Sequence, residues 1–599
     1  MRDFVRIERA MKDDETKSAK VPDQKELEKE LNEYLGKKYG DRVKLVVPML
    51  FPRADREKTG KDHKAKTQKE TPATHFDLKP EQLQAYLDEF VITQDEAKEV
   101  LATKVCTHFN RIKFQELSKK RTRKEVGRIK NNIIMIGPTG VGKTYLIKLI
   151  ANRIGVPFVK GDATKFSETG YVGGDVEDLI RDLVHEADGD IKHAECGIVY
   201  LDEIDKIASS HNLIGPDVSR TGVQRALLKP MEETEVDMRV PHDPVSQLEA
   251  IEQYRKTGKR GKKTINTRNI LFIMSGAFSS LEENIKKRLN REGIGFGAEI
   301  KTKEERSAYL KEVKAEDLID YGFESEFIGR LPVTVVFDRL EVEDLYHILK
   351  NPNNPIIIGK KRDFKAYGID VLFEDRALYR LAENAVEERT GARGLVSAVE
   401  RVLLKFEKTL PSTGITRFVV TPGMVDDPKG ELGRLLTAGD EIDDFYERVA
   451  EEEKGIVKKL IRRREKDFLD RYGLVFGENR IDLIAGQVIH KALDVQSVYE
   501  EAVSIVEEIH KYEEAFRERH NIHIDFDEEA VDRIIELVMD EATEVSAICD
   551  QFSQHYEHGL KLIRDKTGMQ EFVLTREAVD EPEDFLNRLI QETYRSFND

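Results

Sequence analysis

The order of hydrophobic and polar positions changes character along the chain. Between about residues 78 and 338, short continuous apolar runs alternate with helical patterns. Runs of this kind, most of them separated by enough chain for a helix, are typical of parallel strands buried on both faces. The pattern therefore predicts an α/β domain with a doubly wound parallel sheet. The predicted strands are 132–136, 156–159, 197–201, 270–274 and 333–337.

Beyond residue 340 the pattern becomes that of amphipathic helices, with a strand-like stretch at 417–421. Segment 373–378 resembles 526–531, and 417–421 resembles 571–575 at nearly the same offset, which indicates a degenerate second copy of a small domain. We therefore divide the chain into five parts. They are a charged N-terminal arm and linker (1–75), a large α/β domain (76–338), a small, mostly helical domain (339–428), a helical connector (429–515) and a small-domain-like repeat (516–599).

Composition and charge narrow the class of protein. The chain has 599 residues, of which 39% are hydrophobic and 35% charged, with a formal net charge of −17. This negative charge disfavours nucleic-acid binding as the global role. No apolar run approaches the ~18 residues of a membrane span and the N-terminus has no signal core, so we expect a cytoplasmic protein without membrane contact. Cys106, Cys196 and Cys549 are far apart and form no CxxC pair, which predicts no zinc site.

A phosphate-binding motif follows the first predicted strand. Residues 137–144 match GxxxxGK[ST] and precede a helical pattern, which is the context that this motif requires. Its glycines let backbone N–H groups turn towards the β-phosphate, and the helix dipole adds to the attraction. The lysine would reach the β and γ oxygens, and the threonine hydroxyl would ligate Mg²⁺. The predicted nucleotide-binding residues are Gly137, Pro138, Thr139, Gly140, Val141, Gly142, Lys143, Thr144 and Tyr145.

Two adjacent carboxylates, Asp202 and Glu203, end the third predicted strand. Asp202 would hold the Mg²⁺ shell, while Glu203 would orient and deprotonate the attacking water. A solvated acidic strand end is the alternative for this pair alone, but the phosphate motif upstream makes hydrolysis of a nucleoside triphosphate the better interpretation. These residues do not indicate what the hydrolysis drives.

Further motifs accompany the two nucleotide elements, at 86–92, 170–173, 222–228, 293–297, 326–332 and 391–395. With these motifs in this order, residues from about 78 to 428 resemble the ClpX group of AAA+ protein unfoldases. The HslU group is the nearest relative of the ClpX group. HslU proteins carry a long insertion after the Mg²⁺-binding strand, whereas here only residues 207–219 separate Lys206 from Arg220.

The resemblance implies roles for residues outside the phosphate motif. Val91 and Ile92 would contact the adenine. Arg330 would act as an arginine finger that enters a neighbouring subunit's site, so that activity would depend on a ring. Arg393 would touch the same nucleotide and couple its state to the angle between the two domains. Ser275, at the end of the fourth strand, would be the sensor-1 residue.

Two glycine-flanked apolar segments would contact other proteins, again by resemblance. One would line a narrow axial channel and grip a polypeptide by packing. The other would dock into hydrophobic clefts of a ClpP peptidase, although it could instead be a turn tucked into its own domain. The pore-loop residues are Gly170, Tyr171, Val172 and Gly173, and the docking residues are Ile294, Gly295 and Phe296.

The chain also departs from the ClpX pattern. The four-cysteine N-terminal zinc module is absent, Thr93 stands where the family normally has glycine, and the basic loop of the pore entrance is not recognisable. The region from about residue 430 is foreign to the family, and its small-domain-like copy has Ser546 where the repeat alignment expects the sensor arginine.

The resemblance thus implies a homo-hexamer that uses ATP and Mg²⁺ to unfold polypeptide substrates and to feed a ClpP-type peptidase without itself being one. Two alternatives stay open. One is a remodeller of protein complexes that works without a peptidase, and the other is a nucleotide-gated scaffold whose tail does the binding. The basic stretch 119–124 leaves a residual option of nucleic-acid binding.

Overall fold

A computed structural model describes most of the chain beyond residue 75, and all of the described residues belong to one compact unit, Glu70–Asp599. The described residues are 76–118, 130–166, 174–208, 218–238, 264–292, 306–437, 441–465, 469, 476–541 and 543–598. The predicted pore loop and docking loop lie outside these ranges, as do the N-terminal arm and the basic stretch 119–124.

A parallel sheet of five strands forms the centre of the large domain, in the order β2-β3-β6-β1-β7. These strands are β1 Ile133–Ile136, β2 Phe158–Asp162, β3 Ile198–Asp202, β6 Leu271–Gly276 and β7 Val333–Val336. They correspond to the five predicted runs, except that β2 begins later and continues to Asp162. A separate antiparallel pair consists of β4 Glu235–Asp237 and β5 Thr264–Asn266.

Both faces of the central sheet are buried under helices. Ile133 and Met135 of β1 enter one hydrophobic core, while Ile134 and Ile136 enter a second core on the opposite face. The prediction of a doubly wound α/β domain is therefore confirmed. The helices of this domain are α1 Pro80–Phe90, α2 Asp95–Ser118, α3 Lys143–Ile154, α4 Asp178–Glu186, α5 Ile191–Ala194, α6 Val218–Met231, α7 Leu281–Glu292, α8 Arg306–Lys311, α9 Ala315–Tyr321 and α10 Ser325–Gly329.

The small domain is built on a short parallel pair, β8 Asp370–Phe373 and β9 Arg417–Val420. In its longest helix, Leu395, Val399 and Phe406 are buried at helical spacing, and they belong to the core that also covers one face of the central sheet. The large and small domains therefore share a continuous apolar core. The small-domain helices are α11 Val342–Lys350, α12 Pro355–Lys365, α13 Asp375–Glu387, α14 Arg393–Thr409, α15 Pro422–Asp426 and α16 Pro428–Leu435.

The C-terminal extension has a core of its own and a second parallel pair, β10 His523–Phe526 and β11 Glu571–Leu574. Its helices are α17 Glu441–Arg463, α18 Glu478–Lys491, α19 Val495–His520, α20 Glu528–Glu541, α21 Val545–Thr567, α22 Arg576–Asp580 and α23 Pro582–Asn598. From β10 onwards the order is strand, two helices, a strand parallel to the first and two helices. The small domain has the same order from β8 onwards.

The three cysteines are buried and unbridged. Burial raises the pKa of Cys106 to about 11 and is the main cause that raises the pKa of Cys549 to about 12. Within the described ranges, no three or more His, Cys, Asp or Glu side chains gather as a metal-binding group. None of the described helices is long and apolar enough to cross a membrane.

Candidate active site

The phosphate loop connects β1 to α3, and its backbone requires glycine at several positions. Gly140 and Gly142 have φ angles of 77° and 92°, in the left-handed region that glycine adopts readily. At Gly137 a Cβ atom would lie 2.7 Å from the Cβ atom of Phe337, so no side chain fits there. The loop leads into the amino end of α3, where unpaired N–H groups and the helix dipole favour an anion.

The ammonium group of Lys143 is held against the carbonyl groups of this loop. Its Nζ atom donates to the carbonyl oxygens of Gly137 and Pro138 at 2.6 and 2.7 Å. Burial lowers the pKa of Lys143 to about 8, although the charges of Asp202 and Asp205 oppose this effect. An anionic ligand would stabilise the charged form, so the site suits the phosphate groups of a nucleotide.

Asp202 lies beside the Thr144 hydroxyl at the carboxyl end of β3. Ser275 Oγ donates to its Oδ1 atom at 2.6 Å, Lys160 Nζ lies 2.9 Å from its Oδ2 atom, and Thr144 Oγ1 lies 3.4 Å from the same Oδ2 atom. Burial by itself would raise the pKa of Asp202, but the hydrogen bonds from Ser275 and Lys160, the charge of Lys160 and the backbone N–H of Glu203 together hold the pKa below its usual value. An ionised carboxylate next to a hydroxyl is an oxygen donor set that fits Mg²⁺.

Sequence reasoning missed two residues of this network, Tyr200 and Lys160. The Tyr200 hydroxyl lies 3.0 Å from Thr144 Oγ1 and 2.6 Å from Ser275 Oγ, so it links the phosphate loop to β6. Burial raises the pKa of Tyr200 to about 12, which keeps the phenol neutral. One signal was available, because Tyr200 precedes Asp202 by two positions in a strand and therefore shares its face. Lys160 lies on β2 directly opposite Tyr200 of β3. Only the order of the strands in the sheet reveals this pairing.

Glu203 follows the end of β3 in a strained conformation. Its φ and ψ angles are 57° and 32°, which is the left-handed region and is uncommon for a residue other than glycine. Its backbone N–H donates to Asp202 Oδ1 at 3.1 Å, and its side chain is exposed. Backbone strain of this kind concentrates at functional sites. The tight turn thus places the two adjacent carboxylates in different surroundings.

The predicted adenine contacts lie in a short segment after α1. Val91 is buried and Ile92 half-buried, while Thr93 and Gln94 both have positive φ angles, of 54° and 65°. The Gln94 side chain forms two hydrogen bonds of 2.9 Å with the backbone of Asp338, just beyond β7. The segment is therefore anchored at the same edge of the sheet as the phosphate loop.

The small domain reaches the phosphate loop through the turn before α14. The N–H of Ala392 donates to the carbonyl oxygen of Gly140 at 2.9 Å, and a Cβ atom on Gly391 would lie 2.8 Å from that oxygen. Arg393 begins α14 with its side chain exposed, and its charge adds to the effect of burial in lowering the pKa of Lys143. The structure thus brings Arg393 to the phosphate loop of its own chain.

Arg330 does not belong to this group of residues. Its carbonyl oxygen accepts a 3.1 Å hydrogen bond from the Nδ2 atom of Asn132, which precedes β1, and its side chain pairs with Glu232. The phosphate loop follows the other end of β1, roughly 13 Å away at about 3.3 Å per residue. Arg330 therefore lies at the opposite edge of the sheet from the nucleotide-binding residues of its own chain.

The predicted pore-loop residues, Gly170, Tyr171, Val172 and Gly173, and the docking residues, Ile294, Gly295 and Phe296, lie outside the described residues. The flanks of the first loop are described. Phe166 and Gly174 form a parallel bridge, and the N–H of Gly174 donates to the carbonyl oxygen of Lys165 at 3.0 Å. The residues that flank 167–173 on the two sides therefore lie against each other, next to β2.

Comparison with known proteins gives two findings. The AAA domain (Cdc48 subfamily) matches residues 128–334. A protein of Treponema denticola named ATP-dependent Clp protease ATP-binding subunit ClpX is 41% identical over 337 residues, which are 56% of this chain and 77% of that protein. Proteins of the same name from Borrelia duttonii and Borrelia recurrentis are each 42% identical over 349 residues, which are 58% of this chain and 78% of theirs.

The chain belongs to the ClpX family of AAA+ ATPases. It is an ATP-dependent Clp unfoldase, and its own activity is that of an ATPase, not of a peptidase. ATP and Mg²⁺ are the nucleotide and the metal ion that this family implies, and the donor groups around Lys143, Thr144 and Asp202 fit both.

The structure shows the surroundings of two positions at which the chain departs from the ClpX pattern, Thr93 and Ser546. Thr93, at the position where the family normally has glycine, adopts the left-handed backbone that glycine favours, so the fold keeps the turn at some cost in strain. Ser546 is the second residue of α21, whereas Arg393 begins α14, the corresponding helix of the small domain. The second copy therefore has no cation at that position.

Proposed function

We propose that this ClpX-family chain works in the cytoplasm as a homo-hexamer, which hydrolyses ATP to unfold proteins and thread them through an axial pore into a ClpP-type peptidase. The observation that carries the proposal is the location of Arg330. A site that uses this guanidinium needs a second copy of the chain, because Arg330 lies at the opposite end of β1 from its own phosphate loop. Closed rings satisfy that need for every subunit.

In this proposal the chain's own residues have distinct roles in hydrolysis. The backbone of the phosphate loop and Lys143 bind the phosphates, and Val91 and Ile92 hold the base. Glu203 orients a water molecule and accepts its proton, while Arg393 and the neighbour's Arg330 stabilise charge on the γ-phosphate. When bound to Thr144 and Asp202, Mg²⁺ supplies further charge neutralisation. Ser275 and Lys160 keep Asp202 ionised, and Tyr200 holds the Ser275 hydroxyl in place.

Contact with the polypeptide substrate is assigned to the loop of Tyr171 and Val172, because apolar side chains on a glycine-hinged loop can grip any sequence by packing. The bridge between Phe166 and Gly174 supports this assignment, because it holds both ends of that loop together just beyond β2. The neighbouring strand in the sheet, β3, carries Asp202. Nucleotide-dependent movement at Asp202 therefore has a short path to the loop.

A degradation assay tests the proposal. The full-length protein, ATP and a stable fluorescent substrate with an unfolded tag would be combined with and without ClpP. We expect fluorescence loss in both cases and peptide products with ClpP only. Phe296→Ala should abolish the products and spare the fluorescence loss. If no fluorescence is lost, the unfoldase mechanism is wrong, and if the variant degrades normally, the docking loop is wrongly assigned.

A second candidate keeps the motor and omits the peptidase, so that the C-terminal extension selects protein complexes for remodelling. The observation that favours it is the size of that extension, which has its own core and lies beyond the small domain. Co-sedimentation with ClpP separates the two candidates. Absence of ClpP from the pellet, together with ATP-dependent unfolding, would select the remodeller.

A further inference from the structure

The C-terminal extension begins by covering the exposed side of the small-domain sheet. Val449 of α17 packs with Leu372 of β8 and Val419 of β9 in a small separate core. Arg417 of β9 forms ion pairs of 2.6 and 2.8 Å with Asp443 and Glu447 of the same helix. The first half of α17 is thus fixed to the small domain by both apolar and ionic contacts.

The chain after α17 then reaches the large domain. The Nε atom of Arg464 lies 3.0 Å from the Oε2 atom of Glu89 in α1, and the Arg464 side chain is only 1% exposed. Gln496 of α19 accepts a hydrogen bond from the Nη2 atom of Arg464. Glu89 stands two residues before Val91, and its carbonyl oxygen accepts a hydrogen bond from Asn351 after α11. A buried ion pair between the extension and the large domain therefore lies immediately before Val91 and Ile92, the predicted adenine contacts.

The turn between α18 and α19 forms hydrogen bonds with the small domain. It also lies near α3, the helix that follows the phosphate loop. The carbonyl oxygen of Ala492 accepts from Arg362 Nε at 2.9 Å, and the N–H of Val495 donates to Asn353 Oδ1 at 3.3 Å. Between them, Asp494 caps α19. Burial, followed by the charges of Tyr86 and Asp494, raises the pKa of Tyr145 to about 12. Asp494 is thus within electrostatic reach of the residue that follows Thr144.

We propose that Arg464 is a positioning residue for the nucleotide site, and that the C-terminal extension straps the small domain to α1 and so slows nucleotide release. The inference depends on the proposed contact of Val91 and Ile92 with the adenine. A nucleotide held by these residues and by Arg393 leaves most easily when the two domains rotate apart. Such a rotation would have to break either the pair of Arg464 and Glu89 or the bonds of Arg362 and Asn353 to the extension, so the strap opposes it.

Release kinetics of the full-length protein test the proposal. The protein would be loaded with the fluorescent nucleotide mant-ADP, and release would be followed by stopped flow after addition of excess ATP. We expect Arg464→Met and Glu89→Gln each to speed release by at least about 5-fold, with no further gain in the double variant because the two residues act as one unit. Arg464→Lys should recover part of the slow release. Arg462→Met is the matched control, since this arginine pairs with Glu478 on the surface, and its release rate should stay within about 2-fold of the wild type.

A readout of the unmodified protein keeps the test independent of how the variants fold. Hydrogen exchange with and without ADP should show protection of peptides covering 460–465 and 487–499 together with those of the phosphate loop. Protection of the phosphate loop alone, or a release rate of Arg464→Met equal to that of the wild type, would overturn the strap and leave the nucleotide site intact. If the phosphate loop gains no protection either, the nucleotide site itself is wrong and the strap fails with it.

Discussion

Ser275 Oγ donates a 2.6 Å hydrogen bond to Asp202 Oδ1 across the boundary between β6 and β3. The bond helps to keep the Asp202 carboxylate ionised in a partly buried position where desolvation would otherwise favour its neutral form. Ser275 therefore acts on the predicted metal ligand, and it does so from a strand whose neighbour in the sheet the sequence does not reveal.

Replacing this serine should cost stability in a pH-dependent way. Because folding lowers the pKa of Asp202, the stabilisation is fully present above the unfolded value near 3.8 and is lost as the pH falls through the lower folded value. We expect Ser275→Ala to lower the free energy of unfolding by about 1–2 kcal/mol at pH 7, and by less at pH 3.5. Urea unfolding at both pH values measures this, with Ser412→Ala on the surface as control. An equal loss at both pH values would contradict the role of the Asp202 charge.

Glu203→Gln should separate nucleotide binding from hydrolysis. The amide keeps the size of the side chain but cannot accept the proton of the attacking water, so turnover should fall by about 10²- to 10⁴-fold. The affinity for mant-ATP should stay within about 2-fold, because the phosphate loop and Asp202 are unchanged. Glu186→Gln, an exposed change at the end of α4, should leave both quantities unaltered. Normal turnover in Glu203→Gln would refute the proposed general base.

Mixing two inactive variants should restore ATPase activity if Arg330 acts between subunits. Arg330→Ala alone should lose about 10³-fold or more of turnover. A mixed ring with Glu203→Gln contains sites that combine an intact Glu203 with a neighbour's intact Arg330, so activity should return. A mixture of Glu203→Gln with Lys143→Ala is the control, since both variants damage the site of their own chain. If the first mixture stays inactive although mixed rings form, Arg330 does not act in trans.

Tyr171→Ala should uncouple hydrolysis from unfolding. We expect ATPase activity within about 2-fold of the wild type, because the residue lies away from the phosphate loop in sequence and touches substrate only in the proposed mechanism. Unfolding of a stable tagged protein should be abolished. Tyr367→Ala is the matched control, since this tyrosine is 65% exposed on the small domain. Unfolding by Tyr171→Ala at the wild-type rate would remove the axial grip from the mechanism.

The location of the C-terminal extension was not accessible from the sequence. The repeat pattern of 526–531 and 571–575 predicts a second small-domain-like unit, and the structure shows the same order of strands and helices there. Nothing in the sequence around Arg464 distinguishes it from Arg462, the surface arginine near the end of α17, because what sets Arg464 apart is its partner Glu89, which is remote in sequence. Burial of a charged side chain is a property of the packing.

By itself, the sequence determined the buried parallel strands, the phosphate loop and the pair of carboxylates, because continuous apolar runs and closely spaced glycines dictate backbone geometry over a few residues. Only the tertiary structure decided which strands are neighbours. That order brings Lys160 and Ser275 to Tyr200 and Asp202 of β3 and puts Arg330 at the far end of β1. The packing of the C-terminal extension on the large domain places Arg464 against Glu89. Contacts between residues remote in the chain depend on how whole elements pack, and local patterns of polarity carry no record of that packing.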